Sequence, residues 1–315
     1  MNLITAARSF LRSQRRSFED YSQSANVLES RAVSDELPCR PLIFVAHPDD
    51  ETLACAGLVQ RVAAPHVVFA TDGAAPGLGG DRIYGSLQAY SEIRFQEAFR
   101  ALAHVPRVSF QRLKKTNGTY FVEVHLFEEL PEAFLCLCGA VRSFSPNAII
   151  SHAYEGAHID HDACSFLAMH TAAEFSIPHF EVPLYWLDEY GKVVRQQFRD
   201  AHSQSGAPND VGIIELRLTE AEIDCKKKMI GEYHSQQGTV SSFALDVERM
   251  RRSLMTGESF SRALCHDYMF QERRPRFYHT RHHRLPAKAL LKKFAEFETW
   301  RTRSIRESTD LHLGD

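Results

Sequence analysis

Two short stretches of the sequence concentrate residue types that can do chemistry at a metal ion. The first contains His47, Asp49, Asp50 and Glu51 within five positions. Because neighbouring carboxylates repel each other, a cation or a shared proton is needed to hold them in one small space. His47 and Asp50 can converge on one ion, and Asp49 is then free to act as a general base. A helix N-cap cluster is the alternative for these acids, and it stays open for Glu51.

The second stretch, residues 151–162, contains His158 and His161. Their spacing lets both rings face one point, one as a metal ligand and the other just outside the coordination sphere. A catalytic zinc site typically has three protein ligands and an open position, and His47, Asp50 and His161 make such a set. Two histidines and one carboxylate also form the facial triad of non-haem Fe(II) oxygenases. The ligands alone therefore do not choose between these chemistries.

Both stretches occupy a strand-to-helix corner. Apolar, strand-like runs at 41–45 and 148–150 precede them, and a helical pattern follows each. In open α/β sheets ligands bind at the carboxyl ends of the strands, and the usual doubly wound strand order makes these two strands neighbours. The sequence therefore predicts an α/β fold: a Rossmann-like, doubly wound, mostly parallel sheet with helices on both faces, plus helical extensions at the N and C termini.

Two motifs in these stretches read Ala46-His47-Pro48-Asp49-Asp50-Glu51 and Glu155-Gly156-Ala157-His158-Ile159-Asp160-His161-Asp162. They resemble the signature motifs of the LmbE-like, or PIG-L, zinc-dependent N-acetylglucosaminyl deacetylases. In the second motif the family usually has Gly-Gly-His-Pro-Asp-His, so the ligand positions match and the proline does not. The resemblance covers roughly residues 40 to 270.

The resemblance implies a role for each matching position. It implies that His47, Asp50 and His161 bind zinc, that Asp49 is the general base, and that His158 acts as acid or oxyanion stabiliser. It also implies the reaction, which is removal of an acetyl group from an N-acetylated amino sugar in a GlcNAc-type conjugate.

Weaker similarities to the same family follow the first motif. Asp72 comes directly after the second strand-like run, and Arg94 lies on the helix that follows. The resemblance makes Arg94 a candidate for gripping substrate hydroxyls and Asp72 a second candidate for substrate contact. Without the resemblance, Arg94 would be interpreted as a surface charge.

Composition and charge narrow the class of protein. The 315 residues are 44% hydrophobic and 24% charged, with a net charge of -3, which is typical of a globular protein and gives no sign of nucleic-acid binding. The 7 cysteines form no C-x-x-C pair, which favours a reducing compartment. The sequence contains no apolar run of about eighteen residues, so it predicts no transmembrane helix. We therefore expect a cytoplasmic protein that acts on a small-molecule or glycoconjugate substrate.

We predict three segments: an N-terminal helical extension (1–39), a deacetylase domain (40–270) and a basic, amphipathic C-terminal tail (271–315). The extension docks on the main domain or on a second subunit, which leaves a homo-oligomer open. The tail closes the domain, forms a dimer interface, or lies on an anionic membrane surface, where a lipid-linked glycan would be found. A lysine run at 226–228 predicts the solvated face of a helix.

The predicted function is a metal-dependent hydrolase that removes an acetyl group from an N-acetylated amino sugar. The expected cofactor is Zn²⁺, although another divalent metal such as Fe²⁺ also suits the donors. Three alternatives stay open: hydrolysis of a different amide in a small metabolite or natural product, a non-haem Fe(II) oxygenase, and a non-catalytic glycan-binding protein.

Overall fold

A mixed β-sheet forms the centre of the protein, whose computed structural model describes residues 37–188, 190–199, 212–271 and 287–310. The strands, in chain order, are β1 (Pro41–Val45), β2 (His66–Phe69), β3 (Ser109–Arg112), β4 (Ala148–His152), β5 (His179–Val182), β6 (Tyr185–Leu187), β7 (Val193–Arg195), β8 (Ile213–Arg217) and β9 (Val247–Arg252). Seven of them form one sheet in the order β3-β2-β1-β4-β5-β9-β8, and β6 and β7 form a separate two-stranded ribbon.

Helices connect and cover these strands. In chain order they are α1 (Asp50–Arg61), α2 (Gly80–Tyr84), α3 (Leu87–Ala103), α4 (Leu130–Phe144), α5 (Ile159–Phe175), α6 (Glu220–Gly231), α7 (Gln237–Val240), α8 (Gly257–Gln271) and α9 (Ala287–Asp310). Short 3-10 helices precede α4 at Leu126–Glu129 and α7 at His234–Gln236.

The residues of β1 show why the sheet is covered on both faces. Leu42 and Phe44 pack into one hydrophobic cluster, with α4, α5 and α9, while Ile43 and Val45 pack into a second cluster, with α1, α3 and α6. Alternate side chains of a strand point to opposite faces, so a strand that is apolar at every position must be buried on both sides. The predicted doubly wound α/β fold is confirmed.

The strand order places the two motif strands side by side. β1 pairs in parallel with both β2 and β4, and β5 continues the parallel sheet beyond β4. Two antiparallel strands, β9 and β8, complete that edge. Since parallel neighbours end at the same edge of a sheet, the corners after β1 and β4 adjoin each other, as the strand-order prediction requires.

Residues 119–126 make isolated bridges, between Thr71 and Phe121 and between Lys114 and Tyr120. One detail differs from the sequence prediction. The lysine run was expected to be solvated, yet Lys226 is fully buried. Its Nζ donates to the Leu53 carbonyl at 3.1 Å and to Glu248 Oε1 at 2.8 Å.

Glu248 explains how a lysine can be buried at this point. Its carboxylate also accepts the backbone N–H groups of Gly57 and Leu58, at 2.9 and 3.1 Å. In a regular helix the N–H of Gly57 would bond to the carbonyl of Leu53, which here accepts from Lys226. The buried ion pair therefore satisfies groups of α1 directly and ties that helix to α6 and β9.

The C-terminal helix α9 closes the domain. Leu290, Phe294 and Phe297 are buried in the same cluster as α4 and α5, so the apolar face of α9 is covered by the domain itself. The predicted N-terminal extension lies outside the described residues, apart from 37–39. None of the helices described is long and apolar enough to cross a membrane.

We predict that His179 makes the protein sensitive to acid. Its Nε2 lies 2.8 Å from Ser151 Oγ, and burial lowers the pKa of His179 from 6.5 to about 4, against a raising effect of Glu181. Because the pKa of His179 is lower in the folded state than in the unfolded state, the free energy of unfolding is fully maintained above about pH 6.5. It decreases by up to about 3 kcal/mol as the pH falls toward 4.

Urea unfolding of His179→Gln and of the unchanged protein at about pH 7 and pH 5 checks this. We expect the free energy of unfolding to fall by about 2 kcal/mol less in the variant than in the unchanged protein between pH 7 and pH 5. His234→Gln, which replaces an exposed imidazole, is the matched control. An equal loss in both proteins would contradict the assignment to His179.

Candidate metal centre and active site

The corner after β1 supplies His47, Asp49 and Asp50. The chain leaves the sheet at Val45, turns, and begins α1 at Asp50, and all three side chains are at most 5% exposed. Carboxylates at this position are favoured by the amide-rich N-terminus of the helix. Asp50 Oδ2 accepts the backbone N–H of His47 at 2.9 Å, which folds the corner back on itself.

The corner after β4 supplies His158 and His161. His158 caps α5, and its Nδ1 accepts the backbone N–H of Asp160 at 3.1 Å. His161 lies one turn into the helix and is buried. The two rings stack with centroids 4.6 Å apart, and the His158 ring lies 4.4 Å from that of His47. The predicted ligands and the predicted acid are therefore brought together.

Asp50 Oδ2 is the atom on which this site converges. It lies 3.2 Å from His47 Nδ1 and 3.6 Å from His161 Nε2. The other nitrogen of each ring faces a carboxylate, because His47 Nε2 lies 3.2 Å from Asp160 Oδ2 and His161 Nδ1 lies 3.0 Å from Glu155 Oε2. When the hydrogens lie on those outer nitrogens, each ring in its neutral form directs a lone pair toward Asp50.

This donor set fits a divalent cation. His47 Nδ1 and His161 Nε2 each lie within 3.6 Å of Asp50 Oδ2, and a positive charge among these atoms would stabilise the arrangement. The outer carboxylates, Glu155 and Asp160, orient the rings in the way that carboxylate–histidine–metal arrangements require. Among the described residues, two groups of three possible ligands lie close together: His47, His158 and His161, and Asp50, His152 and His161. The predicted set of His47, Asp50 and His161 is divided between these two groups.

The pKa directions of Asp50 and His161 agree with ligand-ready protonation states, whereas that of His47 favours a protonated ring. Burial raises the pKa of Asp50, but the nearby rings of His161, His152 and His47 lower it well below its usual value. Burial, together with His152, lowers the pKa of His161 well below the usual value. For His47, burial lowers the pKa, but nearby carboxylates raise it well above the usual value, so a proton supplies positive charge where a cation would otherwise sit.

His152 belongs to the site, although the sequence analysis gave it no role. Its ring stacks on that of His161 at 3.9 Å, and its Nε2 lies 3.3 Å from Asp50 Oδ2. The same nitrogen accepts the backbone N–H of Ala46 at 3.0 Å. Because that bond uses its lone pair, His152 is better placed to support His161 than to act as a ligand.

Asp49 lines the same cavity as the metal-site residues, and Arg94 holds its carboxylate. Its carboxylate Oδ2 lies 3.2 Å from Arg94 Nη2, and its backbone has φ 131° and ψ -31°, a conformation that costs on the order of 1–3 kcal/mol for a residue with a side chain. Burial and the adjacent Asp50 raise the pKa of Asp49 to about 8, against the lowering effect of Arg94. A divalent cation beside it would oppose that rise.

Glu51 and Tyr233 hold this strained backbone in place. Glu51 Oε2 accepts the N–H of Asp49 at 3.0 Å, and Glu51 Oε1 accepts hydroxyl hydrogens from Thr52, at 2.7 Å, and from Tyr233. Glu51 and Tyr233 are fully buried. Glu51 is therefore part of the site and not only a charge at the start of a helix.

Arg94 is buried, 5% exposed, and most of its N–H groups contact protein atoms. Nη1 donates to Gly73 O at 2.6 Å and to Glu123 Oε2 at 3.3 Å, while Nη2 donates to Pro48 O at 2.8 Å and contacts Asp49. The arginine lines the cavity, and its predicted contact with substrate hydroxyls stays a prediction.

Asp72 is placed differently. Its Oδ1 accepts the backbone N–H groups of Ala74 and Glu123, at 3.1 and 3.0 Å, and it is not among the residues that line the cavity. It shapes the loop after β2, and its predicted contact with substrate also stays a prediction. Glu123 lines the cavity in a segment whose sequence gave no signal of function.

The centre lies at the bottom of a cavity of about 290 Å³. Its inner wall is formed by the metal-site residues and Arg94, and its outer wall by one face of the β6–β7 ribbon and by the segment around α7. The polar side chains of that segment are Gln236, Thr239 and Ser242. These groups can hydrogen-bond to hydroxyls of a bound molecule.

Sequence reasoning missed five residues of the site: His152, Glu155, Asp160, Glu123 and Tyr233. Glu155 and Asp160 lie within the second motif itself, where carboxylates flank the ligand histidines. Glu123 and Tyr233 come from segments with no such pattern and reach the site only through the fold.

Residues 42–172 match the family model described as PIG-L: GlcNAc-PI de-N-acetylase. No curated protein matches the chain.

Several solved structures are similar in part. One is the A40926 pseudoaglycone deacetylase Dbv21, with 18% identity, 65% of this chain and 85% of that chain covered, and a TM-score of 0.47. Another is N,N'-diacetylchitobiose deacetylase from Pyrococcus horikoshii, with 12% identity and a TM-score of 0.46. The similarity covers 73% of this chain and 95% of that chain. A third is GalB, a 4-carboxy-2-hydroxymuconate hydratase from Pseudomonas putida, with 14% identity and a TM-score of 0.43. The similarity covers 69% of this chain and 97% of that chain.

We predict that Glu155→Gln weakens metal binding. The amide nitrogen of glutamine would face the Nδ1–H of His161, and the ring would have to move its hydrogen to Nε2, where a lone pair is needed. Loss of such a carboxylate typically costs about 10- to 100-fold in metal affinity. Titration of the metal-free protein with Zn²⁺ measures this, with Glu258→Gln, an exposed substitution, as control. Equal affinities in both variants would contradict the prediction.

Proposed function

Because residues 42–172 of this chain form a PIG-L (LmbE-like) domain, we propose that the protein is a metal-dependent hydrolase that removes an acetyl group from an N-acetylated amino sugar. The observation that carries the proposal is the convergence of His47 Nδ1 and His161 Nε2 on Asp50 Oδ2, with Asp49 buried beside them. A metal centre with an adjacent carboxylate outside the ligand set suits amide hydrolysis.

We propose Zn²⁺ as the metal, held by His47, Asp50 and His161. Two imidazole nitrogens, one carboxylate oxygen and an open position are a frequent catalytic zinc set. When bound there, a zinc ion supplies a Lewis acid that polarises an amide carbonyl and lowers the pKa of a water.

Asp49 acts as the general base in this proposal. Its carboxylate accepts a proton from the attacking water, and Arg94 keeps it pointing toward the cavity through the 3.2 Å contact. The strained backbone, fixed by Glu51, sets the direction of the carboxylate. Proton transfer by a positioned carboxylate typically contributes about 10²- to 10⁴-fold.

His158 acts as a hydrogen-bond donor to the oxyanion. Its Nδ1 accepts the N–H of Asp160, so the neutral ring carries its hydrogen on Nε2. Burial, together with His47 and His161, lowers the pKa of His158 well below its usual value, which favours the neutral ring at neutral pH. A neutral imidazole can stabilise the oxyanion through Nε2–H and then pass that hydrogen to the departing amine.

The substrate is an N-acetylated amino sugar, free or as part of a larger conjugate. The polar side chains of Gln236, Thr239 and Ser242 line the cavity, where sugar hydroxyls need partners. We also propose a reducing, cytoplasmic compartment; in its support, six of the seven cysteines are free thiols, namely Cys39, Cys55, Cys136, Cys138, Cys164 and Cys225.

Loss of the base should separate chemistry from metal binding. We expect Asp49→Asn to keep the metal, because Asp49 is outside the ligand set, and to lower kcat by about 10²- to 10⁴-fold. Acetate release from N-acetylglucosamine conjugates, with the metal content measured in parallel, tests this. Chelation of the unchanged protein should abolish acetate release, and re-addition of Zn²⁺ should restore it. Full activity in Asp49→Asn would contradict the assignment of Asp49 as the general base.

The hydroxyl of Tyr233 should affect rate but not binding. Tyr233→Phe removes a donor to Glu51, which loosens the carboxylate that holds the Asp49 backbone. Leaving a buried acceptor without this partner costs about 1–3 kcal/mol, so we expect kcat to fall by roughly 10-fold or more, with KM and metal content unchanged. Tyr190→Phe, at an exposed position, is the control. An unchanged kcat would show that Glu51 holds Asp49 without Tyr233.

A further inference from the structure

One cation in the wall of the cavity has no anionic partner among the described residues. Asp49 and Glu123 both contact Arg94, and Asp50 faces the histidines. Arg195 also lines the cavity, but no described residue offers it a hydrogen bond or an ion pair. Its guanidinium instead lies over the ring of Phe243, 5.6 Å from the centroid.

The β6–β7 ribbon directs this arginine toward the cavity. Tyr185 and Arg195 are directly opposite in the antiparallel register, and so are Leu187 and Val193. Opposite residues point to the same face, and all four line the cavity. One whole face of the ribbon is therefore part of the cavity wall.

Arg195 lies at the inner end of that face. Its neighbour Tyr185 contacts the ring of His161, with centroids 5.3 Å apart. Side chains of opposite residues are about 5 Å apart at Cβ, so Arg195 stands one residue width out from a ligand histidine. A group bound by Arg195 would belong to the same molecule whose amide lies at the metal centre.

The base of the ribbon is fixed in place. Gln196, the next residue, is buried, exchanges two hydrogen bonds with Ala244, at 2.7 and 3.1 Å, and accepts from Arg249 through its carbonyl at 3.0 Å. Its φ of 52° turns the chain sharply after Arg195. These contacts hold the ribbon against the segment that carries Phe243, so the guanidinium has a defined position before a ligand arrives.

An uncommitted guanidinium at a defined place in a cavity wall is suited to bind a carboxylate or a phosphate. We propose that Arg195 binds an anionic group on the substrate, located on the part of the conjugate that leads from the sugar out of the cavity. The substrate class is therefore an acidic conjugate of an N-acetylated amino sugar. This inference rests on the proposed function for the position of the sugar.

Binding and turnover are measured separately so that the two proposals can fail separately. Binding is measured by calorimetry in the metal-loaded Asp49→Asn protein, which holds substrate without consuming it. The probes are methyl N-acetylglucosaminide, which is neutral, and two acidic relatives, N-acetylglucosamine 1-phosphate and the carboxymethyl glycoside of N-acetylglucosamine. The protein pair is Asp49→Asn with and without Arg195→Gln.

We expect at least one acidic probe to bind about 10- to 100-fold more tightly than the neutral probe, because charge-assisted hydrogen bonds contribute at this level. Arg195→Gln should bring that ratio close to 1, and Arg195→Lys should keep part of it. Arg262→Gln, which removes one exposed positive charge from α8, should leave the ratio unchanged. The acidic probe that loses affinity identifies the group as phosphate or carboxylate.

Acetate release by the protein with Asp49 intact gives the second readout. The ratio of kcat/KM between acidic and neutral probes should fall in Arg195→Gln as the affinity ratio does. Equal binding of acidic and neutral probes, or a preference that survives Arg195→Gln, would overturn the inference even if acetate is released. Arg195-dependent binding without acetate release from any probe would support the anion site and count against the proposed reaction.

Discussion

The Asp50 carboxylate is the point on which both halves of the site depend. It accepts the His47 backbone N–H, which closes the corner after β1, and it faces imidazoles from the corner after β4. A negative oxygen among directed lone pairs is stable only with positive charge between them, supplied by a proton or by a metal ion. The adjacency of β1 and β4 therefore has a chemical consequence, because any other strand order would separate His47 and Asp50 from His161.

The helix that presents Asp50 is supported from outside the motif. Lys226 and Glu248 bond to backbone groups within α1 and connect it to α6 and β9. Breaking such a buried pair by removing one partner leaves an uncompensated charge, at a cost of about 3–5 kcal/mol. The pair is thus well suited to fix the position of α1, on whose first turn the geometry of the metal centre depends.

Strain at Asp49 is stabilised by a network with no metal ligand in it. Arg94 bonds to the carbonyl of Pro48 and contacts the Asp49 carboxylate, while Glu51, backed by Tyr233, accepts the Asp49 N–H. Groups on both sides of one residue thus offset a backbone cost on the order of 1–3 kcal/mol. The result is a carboxylate held beside the ligands but outside their set, the arrangement that a general base requires.

The sequence by itself determined the fold class and predicted which side chains the two corners bring together. The apolar run of β1 and the spacing of His47, Asp50, His158 and His161 are local features, and each corner lies within about ten residues of its strand, so the pattern was sufficient. The tertiary structure alone decided the burial of Lys226, the role of Arg94 toward Asp49, the arrival of Glu123 and Tyr233, and the outer wall with Arg195. These depend on contacts between residues far apart in the chain, and a local pattern carries no information about which distant side chain fills a given space.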